Sequence, residues 1–160
     1  MATTLWGQRL PPSGGGDVAA AWHWSLSTVA DVTTARMRLR GELADRAVGG
    51  GRLDDVLLAF EELASNGLRH GAAPVRVSVV ATGSGWLIDV TDAATDRPPV
   101  PAVGRDAADG GLGLYLVARL ASAHGWWSDG ARKHVWARLT RPAPTLGRRL
   151  PAARRERSAG

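Results

Sequence analysis

Hydrophobic and polar positions alternate with two different periods along this chain. In residues 20–27, AAWHWSLS, Trp22, Trp24 and Leu26 recur at every second position, the period of a strand, and His23 falls on the opposite, solvent-side face. Residues 29–47 change to helical spacing, with Val32, Ala35, Met37, Leu39 and Leu43 predicted to face a core. The run VGGGR at 48–52 breaks that helix. A second helix follows and carries Asp54 and Asp55 near its start, where acids suit the dipole. At about 100° per residue, its Val56, Leu57, Phe60, Leu63, Ala64, Gly67 and Leu68 share one apolar arc. After Gly71 the period returns to two: Val75, Val77 and Val79 alternate with Arg76 and Ser78. GSG at 83–85 turns the chain into WLIDVT at 86–91, which predicts an antiparallel hairpin ended by Asp92. Residues 93–109 have no periodicity and read as a long loop of the kind that serves as a lid. An apolar helix through Leu116, Val117, Leu120 and Ala121 comes next, then two strands around a turn at Asp129-Gly130. The order β α α β β, loop, α β β predicts an α+β fold: a two-layer sandwich of one mostly antiparallel, mixed sheet with helices on one face.

Composition sets the outer limits. The chain has 160 residues, 44% of them hydrophobic, enough for one domain with a real core. Without cysteine there are no disulfides and no thiolate metal sites. No basic start runs into an apolar segment, and no apolar stretch is long enough to span a membrane, so an intracellular, cytoplasmic protein is expected. The net charge of +5 suggests nucleic acid until it is located. Residues 141–160 hold six arginines against Glu156, while residues 1–140 hold 14 basic and 14 acidic residues. The charge therefore belongs to a Pro-, Ala- and Arg-rich tail expected to be disordered, and the neutral domain speaks against nucleic acid as its ligand. Residues 1–17, which end on PPSGGG and Asp17, are expected to form a flexible leader. The folded domain is accordingly set at 18–140.

Three places hold candidate chemistry. Glu62 and Asn66 lie four apart, off the apolar arc, and can serve one small site as a carboxylate base and an amide-oxygen ligand for a hard cation. GGLGL at 110–114 brings glycines into a helix start, where backbone N–H groups can approach a phosphate. It is neither a Walker A sequence nor a Rossmann fingerprint. Asp92 ends a strand and can accept a hydrogen bond from an exocyclic amine such as adenine's. Each has an ordinary structural reading as well: a solvated helix face, a junction glycine and a turn-starting aspartate.

Taken in order, the three elements resemble the histidine-kinase-like ATPase superfamily, the fold of gyrase, Hsp90, mismatch-repair ATPases and sensor kinases. Within it the chain is most similar to stand-alone ATP-binding proteins related to anti-sigma-factor serine kinases. The resemblance covers residues 18–140 and is strongest in FEELASNGLRHG at 60–71, which is like the family's E-x-x-x-N-A-x-x-H-G box. It implies Glu62 as general base, Asn66 as Mg²⁺ ligand, Asp92 as adenine reader, and Gly111, Leu112 and Gly113 as phosphate cradle. His70, near the helix end, reads as structural. His134, beside Lys133, the sole lysine, stands where the family's closing strand often carries a threonine that reaches the nucleotide. The chain departs from the family where Asp92 is followed by Ala-Ala-Thr-Asp in place of a glycine box. The implied function is transfer of the ATP γ-phosphate to a serine of a partner protein, with ATP and Mg²⁺ as cofactors. The implied partners are a sigma factor, an antagonist protein or both, and a homodimer is compatible with the resemblance. Two alternatives remain: a nucleotide-gated binding module without kinase activity, and a tail-driven nucleic-acid binder.

Overall fold

The computed structural model describes residues 5–13, 16–46, 52–100 and 112–142. The strongest helical period in the sequence becomes α2 (Leu53–His70), which buries Val56, Leu57, Ala59, Phe60, Leu63, Ala64 and Gly67 against a sheet. Phe60 is fully buried and meets Trp24 edge-on, with ring centroids 5.4 Å apart. Burying such a side chain contributes about 1.5–3 kcal/mol. Beside it lies α1 (Val29–Asp45), started by a capping box in which Asp31 N–H donates to Thr28 Oγ1 and Thr28 N–H donates to Asp31 Oδ2. α1 buries Val32, Ala35, Leu39 and Leu43, but Met37 is 67% exposed, contrary to expectation. Two residues beyond Ala35 is about 200° round the helix, so Met37 points away from the face that Ala35 buries.

The sheet runs β1-β2-β3-β5-β4 and is antiparallel throughout. Its strands are β1 (Val18–Leu26), β2 (Val75–Thr82), β3 (Gly85–Asp92), β4 (Ala123–Ser128) and β5 (Lys133–Thr140). The third helix, α3 (Leu112–Leu120), precedes β4. Inward positions such as Val77, Val79, Ile88, Val90, Val135 and Leu139 form the core under the helices, while His23 and Arg76 are exposed on the other face. Period-two alternation thus yields the expected α+β sandwich.

Arg52 ties three element ends together. Its Nη2 donates to Leu120 O at 2.9 Å, its Nη1 to Thr140 O at 3.1 Å, and its Nε lies 3.2 Å from Asp55 Oδ2.

Both expected chain boundaries need adjustment. Residues 5–9 are not a loose leader. Trp6 is fully buried, and Gln8 pairs with Trp126 in a parallel bridge alongside β4, the one parallel pairing among the described residues. A proline- and glycine-rich neighbourhood has no period to betray a lone buried tryptophan. At the other end, Arg141 N–H donates to Ser84 O at 2.9 Å and its guanidinium lies 4.9 Å over the Trp86 ring. Arg141 therefore packs on the domain and is not the first residue of a tail. The expected lid at 93–109 falls mostly outside the described residues, as do Gly110 and Gly111.

Candidate functional site

The C-terminal end of α2 meets the end of β3 at Asp92. Gly71 caps the helix there, and a Cβ on it would lie 2.6 Å from Asp92 Cγ. A side chain on the final glycine of the FEELASNGLRHG stretch would run into the Gly67 carbonyl oxygen first and the Asp92 carboxylate next. Gly67 meets a similar constraint a turn earlier, since a Cβ on it would come within 2.9 Å of Val90 Cγ1. Asp92 is 1% exposed. Its Oδ1 accepts from Ala94 N at 2.7 Å and Ala72 N at 3.4 Å, and its Oδ2 lies 3.2 Å from Lys133 Nζ. Lys133 is 2% exposed and stands opposite Asp92 in the β3–β5 register. Two opposite charges are therefore buried as a pair, an arrangement that is costly to break from either side.

Further along α2, Glu62 and Asn66 line one narrow cleft with Arg69, His70, Gly113 and Leu114. Glu62 is half-buried and touches the first turn of α3. A Cβ on Gly113 would overlap Glu62 Oε2 and lie 2.7 Å from Glu62 Cδ. The missing side chain at 113 leaves room for the carboxylate at that helix start, where backbone N–H groups have no intrahelical acceptor. Burial raises the Glu62 carboxyl above the ordinary 4.5, with neighbouring Glu61 adding to the rise and Arg69 opposing it. A carboxylate shifted upward in a cleft is better matched to proton transfer near neutral pH than an exposed one.

The expected residues divide into two faces. Glu62, Asn66 and Gly113 come together, Leu112 begins α3 beside them, and Asp92 is held at the end of the same α2 helix. Gly111 lies outside the described residues. His134 does not join them. On β5, Lys133, Val135, Ala137 and Leu139 point into the core, so His134 faces the open side of the sheet. There its Nδ1 lies 2.8 Å from Asp89 Oδ2, its Nε2 lies 3.6 Å from Asp129 Oδ2, and its ring stacks on Trp127 at 4.2 Å. The hydrogen bond to Asp89 is the main cause that raises the His134 pKa above the ordinary 6.5. The residue of β5 that faces Asp92 is Lys133, one residue earlier than His134. That phase is readable in the sequence, because Lys133 shares its parity with Val135, Ala137 and Leu139. Arg69 is a second cleft residue that a search for carboxylates and glycines passes over.

Among the described residues, no three His, Asp or Glu side chains cluster as a metal cage. Mg²⁺ does not need one, since it keeps waters and takes phosphate oxygens alongside one or two protein ligands. The Asn66 amide oxygen fits that limited role. No helix among the described residues is long and apolar enough to cross a membrane.

The fold recurs elsewhere. The structure is similar to a chain in the crystal structure of the SiaB–SiaC complex from Pseudomonas aeruginosa, with a TM-score of 0.53 and 15% sequence identity over 78% of this chain and 91% of that one. No curated protein sequence matches. A sequence profile of the histidine kinase-like ATPase domain matches residues 26–139, a span that holds α1, α2, the whole hairpin, Asp92 and nearly all of β5. The helix with Glu62 and Asn66, the strand end with Asp92 and the glycine-bearing start of α3 therefore stand in one recognised frame, and this chain belongs to the histidine kinase-like ATPase domain family.

Proposed function

We propose that this protein is an ATP-binding regulatory kinase that transfers the γ-phosphate to a serine hydroxyl of a partner protein. Membership of an ATPase domain family implies an ATP site. The observation that carries the kinase reading is the Glu62 carboxylate, raised by burial and set against Gly113 at the start of α3, with Asn66 lining the same cleft. In the proposed reaction the hydroxyl oxygen forms a bond to the γ-phosphorus, the bond from that phosphorus to the β-phosphate oxygen breaks, ADP leaves, and Glu62 accepts the hydroxyl proton. Mg²⁺, held on the protein side by Asn66, would neutralise phosphate charge. Leu112 and Gly113 offer backbone N–H groups to the phosphates, and Asp92 offers an acceptor to the adenine amine. The similar chain from Pseudomonas aeruginosa is one of a two-protein complex, which supports a protein partner for this chain. We assign that partner to the sigma-factor and antagonist class on the resemblance of residues 60–71, with the cytoplasm as the protein's place.

A second reading is favoured by the buried Asp92–Lys133 pair, in which the base-reading carboxylate already has a cation beside it. With alanine at 94 in place of a glycine, it suits a nucleotide-gated binding module that transfers nothing. Incubation with labelled ATP, Mg²⁺ and candidate antagonist proteins separates the two. Phosphate on the partner supports the kinase. Partner affinity that changes with ATP, without label transfer, supports the binding module.

A further inference from the structure

The segment at residues 5–9 lies outside the span matched by the family profile, yet it is fastened to the domain at four places. Arg9 N–H donates to Trp126 O at 2.8 Å, and Trp126 N–H donates to Gly7 O at 3.1 Å, which adds this segment to the β4 edge. Trp136 Nε1 donates to Arg9 O at 2.9 Å. Arg9 Nε donates to His124 O at 2.6 Å, while the His124 ring is 2.9 Å from Leu5 O through Nε2. Gly125 makes the approach possible, because a Cβ there would lie 2.7 Å from Arg9 Cγ and 3.0 Å from Gly7 O.

The fourth fastening leads to the candidate site. Trp6 is fully buried and its Nε1 donates to Leu114 O at 3.2 Å, in the first turn of α3. Leu114 follows Gly113, the residue against which Glu62 rests, and itself lines the cleft with Glu62 and Asn66. α3 has nine residues, so a bond in its first turn bears on the position of the whole helix. An indole that anchors on a strap and donates to that turn sets where the helix start stands relative to Glu62. The bond is neutral, buried and directional, and its loss leaves a desolvated carbonyl with fewer partners.

We propose that Trp6 is a positioning residue for nucleotide phosphates, holding the start of α3 against Glu62 from outside the family's own domain. This rests on the nucleotide reading above. The strap at residues 5–9 then belongs to the working site and is no mere leader.

The experiment uses the full chain, with ATP and ADP affinities measured by calorimetry and adenosine affinity by displacement of a fluorescent ATP analogue. All measurements are made well below the melting temperature, with folding checked by circular dichroism. Trp6→Phe keeps most of the packing and removes the N–H donor. It should weaken ATP and ADP by roughly two- to tenfold, the scale of one neutral hydrogen bond, and leave adenosine unchanged. Gly125→Ala pushes the strap off β4 without touching Trp6 or the cleft, and should shift the ATP-to-adenosine ratio in the same direction. If both variants keep the wild-type ratio, or weaken all three ligands equally, the strap only stabilises the fold and the proposal is overturned. A wild-type protein that binds neither ATP nor adenosine overturns the nucleotide reading, and the role of Trp6 with it.

Discussion

At the scale of single residues, the chemistry depends on which of two adjacent glutamates faces the cleft. Glu62 touches Gly113, whereas Glu61 lies one step round the helix and pairs with Arg36 at 2.9 Å on the surface. Glu62→Gln should therefore lower serine phosphorylation by about 10²–10⁴, the contribution of a general base, with ATP affinity near wild type. Glu61→Gln loses a surface pair worth at most about 1 kcal/mol and should leave transfer intact. Radiolabel transfer together with calorimetry reads both, and equal behaviour of the two variants would move the site off Glu62. Asp92 makes a different prediction, because its charge is tied to Lys133. Asp92→Asn should abolish most ATP binding and also cost about 3–5 kcal/mol of stability, since it strands a buried ammonium. Adding Lys133→Met to it should recover the stability in urea denaturation but not the binding. Recovery of both would mean that Asp92 does not read the base.

Among the elements, β5 carries two opposed roles on its two faces. Its inward face supplies Lys133 to Asp92, and its outward face supplies His134 to Asp89. Because the folded His134 has a pKa above 6.5, its contribution to stability is fully present below 6.5 and is lost as pH rises through the raised folded value. Urea denaturation followed from about pH 6 upward should show wild type losing stability as pH rises, with His134→Gln lacking the slope. A slope that persists in the variant would assign it to another group. The charges facing the ring are Asp89 and Asp129, and the aromatic partner is Trp127, so the effect is confined to the open face. ATP affinity should follow no such slope in this window on account of His134.

For the whole molecule, the boundaries of the working unit are set by two arginines and a tryptophan. Arg141 over Trp86 extends the domain past β5, so a chain truncated after Pro142 should keep the thermal stability of the full protein, whereas Arg141→Ala should melt lower by calorimetry. A cation–π contact of this exposure contributes about 0.5–1 kcal/mol. A drop on truncation would mean that residues beyond 142 also pack on the domain. At the other end, Trp6 and Arg9 bring residues 5–9 into the fold, through contacts separated by more than a hundred residues in sequence.

What the sequence determined by itself was whatever repeats at the period of its own secondary structure. The arc of α2 from Val56 to Gly67, the alternation of Val75, Val77 and Val79, and the hairpin turn at Gly85 are local patterns, and local patterns set element type, order and buried face. The juxtaposition of Glu62 with Asn66 follows from helical spacing in the same way. The tertiary structure decided what has no period. Trp6 is one apolar residue in a proline- and glycine-rich stretch, and only the arrival of α3 gives it a core and an acceptor. The room that Gly113 leaves open is filled by the Glu62 carboxylate, a meeting that no spacing encodes. The choice of Lys133 over His134 combines both levels: parity along β5 fixes which one points inward, but the charge that makes an inward lysine tolerable comes from Asp92, on the neighbouring strand β3 and far earlier in the chain.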